Sequence, residues 1–315
     1  MSEHVLTQLT LILFLGIGSQ WLAWRLKLPS ILMLLVAGFI AGPVMGHQYV
    51  DPDALFGDLL MPLVSMSVGL ILFEGGLTLK FRELDDVGPV VIKLVTIGAA
   101  VTWGLSIVLA RLCLGWDWAL CALLGAILVV TGPTVIMPLL RYLQPNRQVS
   151  FALKWEGIMI DPVGALLALL VFETIHHGLG ADGVQWSNFP VQVALGFLKT
   201  FFAGGVTGAI GAFWVYFFYK RHWVPEYLHS PFALMVAVLA FAGANHIYDE
   251  AGLLATTLMG LILANQKRVD MRHVLEFKEN IRVVLISVLF IVLSARLNLS
   301  DFSALPVGGV LMFLM

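Results

Sequence analysis

Apolar runs long enough to cross a lipid bilayer follow one another along nearly the whole chain. A transmembrane helix needs about 20 apolar residues, because the hydrocarbon core is roughly 30 Å thick. Ten segments of this kind lie near residues 4–24, 29–46, 55–78, 88–114, 117–142, 151–175, 191–219, 230–247, 251–265 and 278–297, and an eleventh begins near 304. The sequence therefore predicts an all-α polytopic membrane protein.

The composition supports this prediction and excludes several other classes. Hydrophobic residues make up 59% and charged residues 12% of the chain, whereas soluble domains average roughly 25% charged residues. A net charge of -2 without a basic face gives no reason to expect a nucleic-acid partner. Cys113 and Cys121 both lie in apolar surroundings and predict neither a disulfide nor a metal cluster.

Loop charges predict the orientation. Lys and Arg are abundant in alternate connections, at residues 25–29, 79–86, 141–148, 219–222 and 265–273, whereas the intervening loops near 47–54, 176–185 and 246–250 contain none. By the positive-inside rule the basic loops are cytoplasmic and the N-terminus is outside. The first apolar run lacks the basic region and cleavage site of a signal peptide, so we interpret it as a transmembrane helix.

The last apolar segment is too short to cross a bilayer. It runs from about residue 304 to Met315, which is fewer than the roughly 20 residues required. We therefore expect the chain to stop inside its eleventh helix, as part of a longer protein.

Two carboxylates interrupt the sixth apolar segment, "KWEGIMIDPVGALLALLVFETI" (154–175). Asp161 lies near its middle, where a charged side chain costs about 2.5–3.5 kcal/mol and commonly marks an ion pathway. The alternative is a structural acid bonded to a neighbouring helix. Glu156 is five residues away, roughly 140° around the helix, so we expect it to face elsewhere and serve as a structural intramembrane acid. Asp161 shares its face with Gly157, Gly164 and Ala165, a smooth strip that lets another backbone approach.

The preceding segment contains a predicted helix break. Thr131, Gly132, Pro133 and Thr134 lie near the middle of "GAILVVTGPTVIMPLLR" (125–141), and Pro133 removes a helical hydrogen bond. Broken helices expose carbonyl groups that coordinate cations in secondary transporters, although a simple proline kink is the alternative. We take Asp161, Thr131, Thr134 and Gly132 as candidate ion- and proton-binding residues and Pro133 as the break.

Four motifs resemble those of a known family. They are "LILFEGGLTLKFREL" (70–84), the 125–141 segment, "KWEGIMIDPVGALLA" (154–168) and "EAGLLATTLMGLILAN" (250–265). In this order they resemble the bacterial monovalent cation:proton antiporters, in particular the NhaP-like sodium/proton branch. The resemblance implies the NhaA/NapA-like antiporter fold, with thirteen helices, inverted repeats, broken helices and an outside N-terminus.

The resemblance also implies roles for single residues. Asp161 would be the ion-binding and proton-exchanging carboxylate, Thr131 and nearby carbonyls would complete the site, and Glu156 would pair with an arginine of the eleventh helix. Two positions depart from the family pattern. Ile160 stands where the family usually has Asn, and Gly132 stands where it usually has Asp, so ion selectivity does not transfer.

Other polar residues receive simpler interpretations. We expect Arg282 and Arg296 to be helix-end residues that snorkel to an interface, and Glu74, Lys93 and Lys199 to be interfacial or packing residues. His246, Asp249 and Glu250 share one outward loop, which is weak support for a metal site.

The predicted function is secondary active antiport of Na⁺ or K⁺ against protons, by alternating access at Asp161. A passive cation channel or a transport-derived sensor of the same fold is the alternative. Enzyme motifs are absent from the sequence, so we expect neither an enzyme nor a cofactor. We expect residues 1–315 to be one exchanger domain in a bacterial inner membrane, with residues 1–114 as scaffold and homodimer contact and 115–175 as the first half of the ion-binding core.

Overall fold

All regular structure in the described residues is helical. The structure, a computed structural model, describes residues 2–47, 49–132, 143–178, 189–266 and 272–298, together with Ile136 and Leu140. The helices are α1 (Ser2–Leu26), α2 (Ser30–Phe39), α3 (Pro52–Phe56), α4 (Leu60–Thr78), α5 (Phe81–Lys93), α6 (Ala99–Leu114), α7 (Trp118–Leu128), α8 (Arg147–Gly178), α9 (Phe189–Lys220), α10 (His229–Ile247), α11 (Ala251–Asn265) and α12 (Arg272–Ala295).

Several spans are built from more than one helical piece. A π-helical turn, Ile40–Val44, extends α2, and a second, Leu94–Gly98, joins α5 to α6. A 3₁₀ turn, Gly57–Leu59, joins α3 to α4. Six helical stretches are long and apolar enough to cross a membrane, and four shorter apolar helices accompany them. The prediction of an all-α polytopic membrane protein is confirmed.

Helix α11 lies between α4 and α9 and is buried on nearly all sides. Glycines allow this, since a Cβ atom on Gly76 of α4 would overlap the carbonyl oxygen of Thr257, and one on Gly260 of α11 would overlap that of Phe73. On the opposite side, a Cβ on Gly204 of α9 would lie 2.8 Å from the carbonyl oxygen of Ala251. Small residues bring helix backbones close together, which is how membrane helices gain packing energy.

Helix α12 packs against the two N-terminal helices. A Cβ on Gly38 of α2 would lie 2.6 Å from the carbonyl oxygen of Ile291, and Gly16 of α1 faces Ser287. Two side-chain hydrogen bonds reinforce the contact. Gln20 Nε2 donates to Ser287 Oγ over 2.9 Å, and Ser294 Oγ donates to the carbonyl of Leu35 over 2.6 Å.

Helix α8 carries both acids of the sixth apolar segment. It packs against α7 and α5, and its buried side chains join two hydrophobic clusters, one with α7 and one with α5 and α11. This position brings the middle of α8 next to the end of α7, where the sequence predicts a break.

Candidate functional site

Helix α7 ends inside the span at Leu128. Val129 forms a turn, and Val130, Thr131 and Gly132 are not helical. Gly132 has φ +62°, a left-handed conformation that glycine adopts at little cost because it has no Cβ. The predicted interruption of this segment is therefore present, and it begins before the proline. Pro133 and Thr134 lie outside the described residues.

Asp161 presents an unsatisfied oxygen near the middle of α8. Its Oδ1 atom is buried and has no hydrogen-bond partner among the described residues. Buried polar atoms are nearly always paired in folded proteins, so an orphaned carboxylate oxygen needs an explanation such as an unseen ion or proton.

Pro162 follows Asp161 in the middle of α8. It lies inside the helix, and because proline has no N–H, the carbonyl of Ile158 loses its helical donor. Carboxylate and carbonyl oxygens are the ligands that hard cations prefer. The Asp-Pro pair in the sequence was the available signal for this carbonyl.

The helix face that carries Asp161 meets the interrupted segment. A Cβ on Gly164 would overlap the side chain of Val130, the residue immediately before Thr131. The sequence predicts a face of small residues beside Asp161, and at Gly164 this face does let a neighbouring element approach, since only glycine leaves room for Val130. The interruption and the aspartate lie on adjacent, contacting elements.

Glu156 is bonded to the interrupted segment, whereas the expected arginine partner on the eleventh helix lies outside the described residues. Thr131 Oγ1 donates a hydrogen bond of 3.0 Å to Glu156 Oε1, and Glu156 is only 8% exposed. The threonine assigned to the ion site is therefore bonded to the acid assigned to the scaffold. Glu156 and Asp161 point in different directions around α8, but the interrupted segment contacts the helix at both Glu156, through Thr131, and Gly164, through Val130.

A buried ion pair joins α4 to α12. Arg282 Nη1 lies 3.4 Å from Glu74 Oε1, and the Glu74 residue is 6% exposed. The interpretation of Arg282 as a snorkelling residue is wrong, because its guanidinium neutralises this carboxylate inside the helix bundle. Glu74 follows a long apolar run, which was the available signal that it required a cation. Arg296 instead pairs with exposed Asp53 at a helix end.

The loop between α10 and α11 forms a polar contact with α9. Lys199 Nζ lies 5.8 Å from the centre of the Tyr248 ring. Burial raises the pKa of the Tyr248 hydroxyl above its usual value, and the negative charges of Glu173 and Asp249 raise it further. His246, Asp249 and Glu250 do not form a cluster of three metal ligands within the described residues.

Several polar groups lie close together where α8 meets the end of α7. Asp161 has a buried carboxyl oxygen, Pro162 removes a helical donor, and the non-helical residues 130–132 present backbone groups on the adjacent element. Such groups are costly inside a membrane unless they bind something or bind one another. The architecture defines the class, a polytopic integral membrane protein with an acidic side chain held at a broken helix.

The chain belongs to the sodium/hydrogen exchanger transmembrane family, whose profile matches residues 9–315. Two relatives illustrate the similarity. The chain is 25% identical to Na(+)/H(+) antiporter 1 of Methanocaldococcus jannaschii, over 97% of this chain and 71% of the relative. It is 24% identical to the K(+)/H(+) antiporter NhaP of Alkalimonas amylolytica, over 96% of this chain and 52% of the relative.

A solved structure shares the fold. The sodium proton antiporter MjNhaP1 of Methanocaldococcus jannaschii, determined at pH 8, matches with a TM-score of 0.79. The match covers 98% of this chain and 74% of that one, at 23% sequence identity. The predicted antiporter fold is therefore confirmed, and so is the predicted family.

Proposed function

We propose that the chain exchanges a monovalent cation, Na⁺ or K⁺, for protons across a membrane by alternating access at Asp161. The observation that carries this proposal is the buried Asp161 Oδ1 atom without a hydrogen-bond partner among the described residues, opposite an interrupted helix. Family membership supports a transporter over an enzyme. The named relatives include both sodium/proton and potassium/proton antiporters, so the cation remains either of the two.

Competition for one carboxylate couples the two fluxes. Asp161 holds either a proton or a cation, because a protonated carboxyl group no longer attracts the ion. Each crossing then carries a single positive charge bound to the same acid, so the exchange is close to one proton per cation. The carbonyl of Ile158 and the backbone of residues 130–132 complete the ligand set, with Thr131 available when it releases Glu156. Thr134 and Pro133 lie outside the described residues and stay proposals, as an ion ligand and as the helix break.

The remaining assignments extend this proposal to the whole protein. Basic loops face the cytoplasm and the N-terminus faces outside, in a bacterial inner membrane surrounded by lipid. Residues 1–114 supply scaffold helices and a homodimer contact, and residues 115–175 supply the first half of the ion-binding core. Glu156 is a structural acid held by Thr131.

Exchange in proteoliposomes tests the proposal. In the full-length protein, Asp161→Asn is expected to abolish cation-dependent proton movement, followed with a pH-sensitive dye, because an amide neither ionises near neutral pH nor carries the negative charge that binds the cation. The matched control is Asp53→Asn, which removes an exposed carboxylate paired with Arg296 and should keep normal exchange. Undiminished exchange in the Asp161 variant would contradict the assignment of Asp161 as the ion- and proton-binding residue.

The same preparation separates an antiporter from a passive channel. An antiporter saturates with cation concentration and shows counterflow, because each ion must occupy the site before the protein turns over. A channel gives currents that grow linearly with driving force. Linear, proton-independent cation currents would favour the channel.

A further inference from the structure

A polar cluster forms where four helices meet at the basic-loop end of the bundle. Its members are Thr78 at the end of α4, Glu83 in the first turn of α5, Lys154 and Trp155 in α8, and Asn265 at the end of α11. We name these five residues the basic-end cluster. Three of the Lys- and Arg-rich connections, 79–86, 141–148 and 265–273, lead into the helices that form it.

Glu83 binds α5 to α8 through both of its carboxylate oxygens. Lys154 Nζ lies 2.7 Å from Oε1 and 2.6 Å from Oε2, and the two side chains are 14% and 13% exposed. Trp155 Nε1 donates to Oε2 over 3.1 Å. A buried carboxylate with a cation and a second donor is well satisfied, so these two helices are held together as one unit.

Asn265 binds the corner between α4 and α5 to α11. Its Oδ1 atom accepts the backbone N–H of Phe81 over 2.7 Å, and its Nδ2 atom donates to the carbonyl of Leu79 over 2.9 Å. Residues 79 and 80 are extended between the two helices. The amide therefore satisfies the backbone groups that the end of one helix and the start of the next leave unpaired.

One hydrogen bond crosses from the α5–α8 unit to α4. Lys154 Nζ donates to the carbonyl of Thr78 over 3.2 Å. Next to it, Ile158 of α8 packs against Gly75 of α4, where a glycine Cβ would lie 3.6 Å from the isoleucine side chain. Trp155 is 3% and Ile158 is 1% exposed. Both side chains are therefore packed inside the bundle, in the part of α8 that lies between Asp161 and the basic-loop end.

We propose that Lys154 and Asn265 form a reversible gate at the basic-loop end of the cation path, with the α5–α8 unit moving away from α4 and α11 when Asp161 opens to that side. This proposal rests on the alternating-access function proposed above. Both side chains are positioning residues, since they touch the helices that carry the site and not the transported ion.

Because of this bonding pattern, opening the gate requires little free energy. Separation of α8 from α4 breaks the hydrogen bond from Lys154 to a neutral carbonyl, while the charge of Lys154 stays paired with Glu83 on the moving unit. An unpaired buried charge would be far more costly than one exchanged hydrogen bond. On the other side, Asn265 limits how far the corner moves. The closed form of the gate is therefore favoured, but the free-energy difference from the open form stays small.

Thiol labelling at the crossing interface tests the gate without requiring ion turnover. Ile158→Cys is introduced into full-length protein that carries Cys113→Ala and Cys121→Ala. A membrane-impermeant thiol reagent is then added on the side of the basic loops. Lys154→Met with Glu83→Gln, and separately Asn265→Ala, are each expected to raise the labelling rate by roughly tenfold, because each removes a hydrogen bond that favours the closed form. Lys154→Arg keeps the cation and should label at nearly the parent rate.

Gln20→Ala is the matched control, because Gln20 also joins two helices through a side-chain amide but does not contact α8. Its labelling rate should equal that of the parent. Unchanged labelling in both gate variants, with each protein still folded by size-exclusion profile, would overturn the gate. An equal increase in the Gln20 control would also overturn it, by showing general loosening. Loss of exchange in Asp161→Asn bears on the transport site alone, so the two proposals fail separately.

Discussion

The carboxylates of Glu74, Glu156 and Asp161 differ in what satisfies them. Glu74 has the guanidinium of Arg282, and Glu156 has the hydroxyl of Thr131. Asp161 has a buried oxygen with no partner in the described part of the chain. Since a buried acid is costly unless it is paired, Asp161 is the residue at which we propose that the transported ion binds.

The Thr131–Glu156 hydrogen bond predicts a stability difference between two threonine replacements. Thr131→Val removes the donor and leaves a carboxylate that is 8% exposed without its known partner. We expect the free energy of unfolding to fall by about 1–3 kcal/mol. Thermal unfolding in detergent measures the change.

Thr131→Ser is the control, because it keeps the hydroxyl group and should lose less than the valine variant. A double variant, Thr131→Val with Glu156→Gln, should recover part of the loss by removing the charge. If valine and serine destabilise equally, the hydrogen bond contributes little.

Sequence patterns revealed the residues that are unusual for their immediate sequence neighbours. An aspartate amid apolar neighbours and a Gly-Pro pair inside an apolar run are visible without any partner, and the structure places a buried oxygen at the aspartate and non-helical residues up to Gly132. The two pairings escaped prediction. Glu74 and Arg282 are 208 residues apart in sequence, and whether an arginine snorkels or turns inward depends on which helix lies beside it.

Close backbone crossings dominate packing at the scale of helices. The reciprocal contact between Gly76 and Gly260 allows α4 and α11 to touch along their backbones, and Gly164 of α8 makes room for the side chain of Val130 in the interrupted segment. The ten apolar segments were predictable because bilayer thickness fixes their length. The ends of the segments were harder to predict than their number, since α7 ends at Leu128 whereas the predicted segment continues to residue 142.

Two alanine substitutions separate packing from helix propensity. Gly260→Ala would overlap the carbonyl oxygen of Phe73, whereas Gly243→Ala in neighbouring α10 meets no atom within 4 Å. We expect Gly260→Ala to destabilise the protein by about 1–3 kcal/mol, because α4 and α11 must move apart.

Gly243→Ala should not lower the free energy of unfolding, because alanine favours a helix more than glycine does. Thermal unfolding of both variants in the same detergent checks the contrast. Equal stability of the two would mean that α4 and α11 separate freely.

The orientation that we propose for the whole molecule depends on the charges of its loops. Exposed positions occur in both sets of loops, at Ala54 and Asp249 in the non-basic set and at Gln148 and Arg221 in the basic set. Positive-inside orientation places the first pair outside the cell and the second pair in the cytoplasm.

Sided labelling of single cysteines tests this orientation. In protein lacking Cys113 and Cys121, we expect Ala54→Cys and Asp249→Cys to react with an impermeant reagent on intact cells. Gln148→Cys and Arg221→Cys should react only in inside-out vesicles. Labelling of one member of each pair from the wrong side would require a different number of crossings between them.

The contact of α12 with α1 and α2 joins residues at opposite ends of the described chain. Gln20 meets a serine 267 positions later, and Leu35 meets one 259 positions later. At a synthesis rate of about 5–20 residues per second, α12 emerges roughly 13–50 seconds after the helices that it covers.

During that interval the glycine faces of α1 and α2 are in contact with lipid or with one another. Membrane helices tolerate such a delay, because insertion precedes helix association and lipid is as apolar as the eventual partner. The order of biosynthesis therefore requires the first two helices to stay in the bilayer before α12 is made. Helix α1 is long and apolar enough to cross a membrane by itself, whereas α2 and its π-helical extension form one of the shorter apolar helices.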